Sequence, residues 1–467
     1  VFYIVLHAIY NIRFHPLHKY PGPWWLAASR IPYTVSILRG TVVQETQALH
    51  QKYGHVVRIN PDTLSFTSSR AWTAGVISNT HIPKDPKYYT KTQRVAFLTF
   101  LGNVQAIFGK GSDRRFLKNR LKSSHQEDHL QRYTALFIYG LQQSQSQSET
   151  GKVDLGCWIN FLTADIVGEV ILGDSFGCLE RGQSHPWLAA IPWVVRIFNS
   201  VGELSLYPGV LRVIDTGKLR KTSMTVTAIS KRIEKLPHGF EFISRGTEAT
   251  GQERVSPTER EVMVMALIIA GSETRNCHLA HRFSLSAFKE PHNTSKAHFN
   301  ATHTVPQQFR NDTTCPSRAG VPQAVLKEIL RLYPPAPGNL FRRTEKEGHV
   351  VMGEIIPPDT CLTMHLWAAH RFSLNFHAPD DMAPERWFKT RPAEFEGDDR
   401  ATMKPFSMGP QNCPGGDFAW AEIRLVLAHM LWHFDFDLAS ESGGWMSWQK
   451  VFVFWEKPPL KVRITPA

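Results

Sequence analysis

Residues 406–416 read FSMGPQNCPGG and set one cysteine, Cys413, among two prolines, three glycines and an asparagine. A cysteine in such a loop can be half of a disulfide, a zinc ligand, a buried filler, or a lone thiolate presented to something large. The six cysteines stand at 157, 178, 277, 315, 361 and 413. They are too scattered for a disulfide scaffold, and no pair has structural-zinc spacing. A long apolar stretch, DFAWAEIRLVLAHMLWHFDF (417–436), follows Cys413 and reads as a helix. The sulfur then faces backbone N–H groups and the positive end of the helix dipole, a setting that favours thiolate. Gly409, Gly415 and Gly416 let the backbone adopt positive φ or approach a bulky flat object. A lone thiolate on a glycine-rich loop before a helix suits an axial ligand of heme with an open sixth position.

The bulk properties agree with a folded protein. Over 467 residues, hydrophobic content is 42% and charged content 20%, as in ordinary globular chains. The net charge of +12 suits an anionic membrane surface or an acidic protein partner. The basic residues are spread out with no basic run, which argues against nucleic acid. The N-terminus, VFYIVLHAIYNIRFHPLHKYPGP (1–23), has an apolar run half as long as a bilayer span needs, and no signal-peptide cleavage site. Residues 1–20 read as the end of a truncated membrane anchor with a basic linker; the alternative is a buried N-terminal strand or helix. Residues 21–467 show no repeat and no clear linker and read as a single domain.

Along the chain, VVRINPDTLSFTS (56–68) alternates and turns at Asn60-Pro61-Asp62, so it reads as a hairpin. CWINFLTADIVGEVILGDSF (157–176) reads as a buried helix. SPTEREVMVMALIIAGSET (256–274) is a helix with Ser256 as N-cap, Pro257 in the first turn and Glu259 closing a capping box. Its apolar run should carry it through the middle of the molecule. QAVLKEILRLY (323–333) is a helix stopped by Pro334-Pro335. Short alternating stretches over 349–366 suggest a small sheet, and WMSWQKVFVFWEKPPLKVRI (445–464) reads as a closing hairpin. Helices dominate, with strands in small groups.

Three further motifs carry chemistry. In AGSET, Ala270 and Gly271 interrupt an apolar helix, where glycine costs roughly 1 kcal/mol against alanine. Small residues there open a groove for a planar cofactor and a diatomic ligand. Glu273 and Thr274 add a carboxylate and a hydroxyl that would relay protons to reduced oxygen. In KEILRLYPP, Glu328 and Arg331 share one helix face at i, i+3. They form either a surface pair or a buried triad with Arg386 of PERW.

Together, in this order and spacing, the four motifs resemble the cytochrome P450 family of heme-thiolate monooxygenases. RFHPLHKYPGP, YGHVVRINPDTLSF, GDSFGCLE and WEKPPL extend the likeness over nearly the whole chain, most closely to fungal secondary-metabolite hydroxylases of the trichothecene, isotrichodermin type. The resemblance implies a mainly α, triangular-prism fold with small β-sheets. It implies heme b on Cys413, with Phe406 packed near the sulfur and Arg342 of NLFRRTEKEG at a propionate. It also implies electrons from NADPH-cytochrome P450 reductase, and O2 and a small apolar, terpenoid-like substrate that is hydroxylated or epoxidised. The implied location is the endoplasmic reticulum membrane, cytosolic face.

The chain departs from the family pattern in three places. Gln411 stands where the heme loop usually has arginine, which predicts weakened heme retention. Residues 275–320 do not resemble the family although their length is about normal. Foreign text of normal length reads as a shifted frame or mis-called exon that rejoins the pattern near Pro322, and His278 and His281 are then accidental. The segment 91–130 matches in part, with Arg115 and Arg120 as further propionate candidates. If 275–320 is real, the alternative is a non-catalytic heme-binding relative or inactive product.

Overall fold

The computed structural model describes residues 2–76, 82–89, 123–207, 209, 264–274, 320–409 and 412–467. Its main helices are α1 (Phe2–Arg13), α2 (Trp24–Ala28), α3 (Ile31–Arg39), α4 (Val42–Tyr53), α5 (Ser123–Gln147) and α6 (Leu155–Leu172). They continue with α7 (Ile191–Leu204), α8 (Val264–Thr274), α9 (Gly320–Leu332), α10 (Leu366–His370) and α11 (Gly416–His433).

Local sequence sets the bounds of these elements. Asp154 caps α6 by accepting a hydrogen bond from the Cys157 N–H at 3.2 Å, and Gly173 ends the helix in the left-handed region at φ 72°. By length and composition α6 could cross a bilayer, yet 72% of it is buried within the protein, which makes it a core helix. It lies against α5, where Gly140 permits the contact: a Cβ at 140 would fall 2.2 Å from the Trp158 ring.

The expected hairpin is present as β1 (Val56–Asn60) and β2 (Thr63–Phe66). It grows into a four-stranded sheet through β7 (Cys361–His365), parallel to β2, and β4 (Asn339–Arg343), antiparallel to β7. A small hairpin, β5 (His349–Val351) with β6 (Glu354–Ile356), sits in the expected 349–366 region. β3 (Lys152–Asp154), β11 (Lys461–Pro466) and β8 (Phe434–Leu438) form a three-stranded sheet in that order. β9 (Lys450–Phe452) and β10 (Phe454–Glu456) pair separately.

Two expectations need correction. The helix read over 417–436 ends at His433, because Phe434–Leu438 pairs with β11 and its backbone groups find their partners there. The closing hairpin is β9–β10 alone. Pro458-Pro459 lacks the N–H groups to continue the ladder, and β11 crosses to β3 and β8 instead. Of the helix read over 256–274, 264–274 is helical as expected; 256–263 lies outside the described residues. At the N-terminus, α1 is an exposed helix in which Asn11 is the buried residue, so the buried alternative does not hold.

The main core gathers Phe137 and Leu141 of α5, Ile159 and Ile166 of α6, Val264 and Ile268 of α8, Ile329 of α9, and Phe418 and Ile423 of α11. Thus α8 runs through the middle of the molecule and shares its apolar surroundings with the helix that follows Cys413. A second cluster fills the space beside the four-stranded sheet, with Leu64, Phe66, Leu362 and Met364 around Trp72.

Candidate active site

The cysteine loop folds on itself before α11 begins. The Cys413 N–H donates to the Phe406 carbonyl at 2.8 Å, and the Asn412 N–H to the Gly409 carbonyl at 3.1 Å. Gly409 sits at φ 76°, a conformation that glycine adopts without steric cost. Cys413 and Gly409 are exposed. The Phe406 ring lies beside Gly416 and 6.1 Å from the Trp420 ring, which fixes the loop onto the first turns of α11. The N-cap of α11 is Gly415, so no cap side chain accepts from the first-turn N–H groups. Gln411 lies outside the described residues.

On α8 the exposure pattern is periodic. Val264, Leu267, Ile268, Ile269, Gly271, Ser272 and Glu273 are buried, whereas Ala266 and Thr274 are half-buried and Ala270 is exposed. These three residues, spaced i, i+4, i+8, form one open stripe of small side chains. It runs through Ala270 and not through Gly271. Thr274 Oγ1 donates to the Ala270 carbonyl, and Thr163 Oγ1 of α6 donates to the Ser272 carbonyl at 3.2 Å, which ties α8 to its neighbour. Glu273 faces the buried side. Its carboxylate accepts from Lys457 Nζ at 3.2 Å, and the same ammonium donates to the Glu273 carbonyl at 3.2 Å.

Glu328 and Arg331 of α9 are buried, as is Arg386 in the 3-10 turn Pro384–Trp387. Arg331 Nη2 and Nε donate to the two Glu328 oxygens at 2.6 and 2.9 Å, and Arg386 Nε donates to Glu328 Oε1 at 2.9 Å. Trp387 Nε1 and the Ala383 N–H add bonds of 2.8 and 3.1 Å to the same carboxylate. Burial alone would raise the Glu328 carboxyl, but hydrogen bonds and charge from Arg331, with the charge of Arg386, outweigh it and hold it below its ordinary value. Arg386 reaches a second carboxylate, Asp398, which sequence reading did not single out. Arg331 also donates to the carbonyls of His370 and Asp381 at 2.7 and 3.0 Å, so one side chain pins α9 to two later segments.

Arg342 is buried in β4, paired in register with Leu362 of β7. Its neighbour Arg343 points into a separate acidic nest, 2.6 Å from Asp85 and 3.0 Å from Asp62. Arg115, Arg120, His278 and His281 lie outside the described residues.

A soft sulfur donor exposed on a tight loop at a helix start suits iron in a porphyrin. The small open stripe of α8 suits the flat face of such a ring, and a buried arginine suits its carboxylates. These features suit a heme-thiolate site. A family model described as Cytochrome P450 matches residues 19–464, and the chain belongs to that family. It is 34% identical over 483 residues to an averantin hydroxylase of Aspergillus parasiticus, covering 98% of this chain and 94% of the relative. It is 32% identical over 489 residues to the cytochrome P450 monooxygenase astA of Talaromyces wortmannii, covering 100% and 95%. A trichothecene C-15 hydroxylase of Fusarium sporotrichioides is 31% identical over 488 residues, covering 99% and 96%. The chain is thus a heme-thiolate monooxygenase that binds heme b, with the mainly helical fold of its family.

Proposed function

We propose that this chain hydroxylates or epoxidises a small apolar secondary metabolite, with Cys413 as the axial thiolate. The observation that carries the reading is the Cys413 loop, exposed at the sulfur and braced by Phe406 against α11. When bound, heme supplies activation of O2 and transfer of one oxygen atom to the substrate. Phe406, Gly409 and Gly415 hold the sulfur in place, and Arg342 would hold a propionate of the bound heme. Ala270 leaves room on the distal stripe, and Gly271 allows close packing behind it. With heme bound, the Thr274 hydroxyl and the Glu273 carboxyl would serve as the proton-carrying groups of α8. Glu328, Arg331 and Arg386 lock α9 to the segment that leads into the cysteine loop.

Two named relatives act on averantin and on a trichothecene, so relatives of this chain accept more than one substrate skeleton. Electrons reach the site from NADPH through the reductase, and the net charge of +12 suits an acidic docking face. Residues 1–20 form the end of a membrane anchor with a basic linker, which keeps the catalytic domain on the cytosolic face of the endoplasmic reticulum membrane. Phe2, Tyr3, Ile4 and Phe14 are exposed in or beside α1, which at 12 residues is shorter than a bilayer span. Residues 21–467 form one catalytic domain. Its text at 275–320 arises from a shifted frame or mis-called exon, which sequencing the transcript across that region tests.

Incubation with reductase, NADPH, 18O2 and a panel of apolar metabolites tests the reaction. The reading expects one labelled oxygen per product molecule. Oxygen derived from water would contradict it.

A further inference from the structure

WEKPPL, residues 455–460, is a stretch whose role the site above leaves open, and its lysine reaches the relay. Lys457 Nζ lies 3.2 Å from Glu273 Oε2, with side-chain exposures of 12% and 8% for the two partners. The same nitrogen donates to the Glu273 carbonyl at 3.2 Å, so one ammonium grips both the backbone and the carboxylate of a single residue. We infer that Lys457 is a positioning residue for proton delivery, holding Glu273 in one orientation on the buried side of α8. The inference rests on the relay role proposed for Glu273.

Two bonds from one ammonium, to the carbonyl and to the carboxylate of the same residue, fix the direction in which the Glu273 side chain leaves α8. The base of Lys457 is also fixed on both sides. Trp455 Nε1 donates to the Pro334 carbonyl at 2.9 Å, and Trp445 Nε1 to the Pro458 carbonyl at 2.8 Å. Leu460 is fully buried, and its carbonyl accepts from the Leu155 N–H at 2.9 Å. Pro458 and Pro459 stiffen the chain between these anchors. The preceding residue, Glu456, points to the surface instead and pairs with Arg196 of α7 at 3.4 Å.

The test compares Lys457→Gln, Lys457→Arg, Glu273→Gln and Glu456→Gln in the holoenzyme, scored by product formed and hydrogen peroxide released per NADPH consumed. Two electrons and two protons take O2 to hydrogen peroxide, so misdelivered protons appear there and not in product. Lys457→Gln should lower product per NADPH about tenfold with KM unchanged, and Lys457→Arg should restore it. Glu456→Gln should match the starting protein. Thermal unfolding gives a readout independent of turnover. Lys457→Gln should lower Tm by several degrees, and that loss should not add to the loss from Glu273→Gln, because the two residues share one contact. An unchanged product ratio in Lys457→Gln, or product and NADPH use falling together, overturns the inference. If Glu273→Gln itself leaves the ratio intact, the relay reading fails; if it lowers the ratio and Lys457→Gln does not, the Lys457 inference alone fails.

Discussion

One carboxylate, Glu328, is shared between Arg331 and Arg386, and all three side chains are inaccessible to solvent. Glu328→Gln would leave the Arg331 guanidinium buried without a counter-charge, whereas Arg386 keeps Asp398. Breaking a buried pair in this way costs about 3–5 kcal/mol, so denaturant unfolding should show a loss of that size. An unfolding midpoint equal to that of the starting protein would contradict it. At Gln411 the expectation runs the other way. Gln411→Arg should slow heme transfer to an apo-acceptor protein, because a guanidinium holds a carboxylate more strongly than an amide does. Equal transfer rates would show that Gln411 does not weaken retention.

At the scale of elements, α5 and α6 meet where Gly140 faces Trp158. Gly140→Ala gains helix propensity yet forces the indole aside. The expected net cost is about 1–3 kcal/mol in thermal or denaturant unfolding. A neutral or stabilising effect would mean that the helices slide apart freely. This scale also shows what the sequence could disclose. Hairpin β1–β2 was legible because Asn60-Pro61-Asp62 is a local turn signal between alternating strands. The apolar run made α8 legible too. The end of α11 was not, because Phe434–Leu438 becomes a strand through a partner, β11, that lies far along the chain. The i, i+3 spacing placed Glu328 and Arg331 on one face, but their burial comes from the arrival of Pro384–Trp387, which no local pattern encodes. Lys457 belongs to the WEKPPL stretch, yet its contact with Glu273 joins residues 184 positions apart and has no local signature.

The whole molecule should lose stability as pH falls from neutral. Burial drives His50 down to about 4, opposed by its bond to Gly54, and drives His365 and His370 to about 3. All three are buried and neutral in the fold, while their unfolded counterparts titrate near ~6.5. The unfolded chain therefore binds more protons between about 6.5 and the folded values, and stability is fully present above about 6.5 and declines below it. Each histidine contributes about 2 kcal/mol of loss by about pH 5. Glu328, held below its ordinary value, adds its loss only at more acidic pH. Tm measured from pH 7.5 to pH 5 (~2.5 units) should fall steadily, and His50→Gln should flatten the slope. A Tm independent of pH over that range would contradict the burial of these rings.

The central claim is that the Cys413 thiolate binds heme iron, and a reduced, carbon-monoxide-bound difference spectrum of the purified protein tests it most directly. The account predicts a strongly red-shifted Soret band that Cys413→Ala abolishes. A band typical of histidine or neutral-thiol ligation, or one that survives Cys413→Ala, would contradict it.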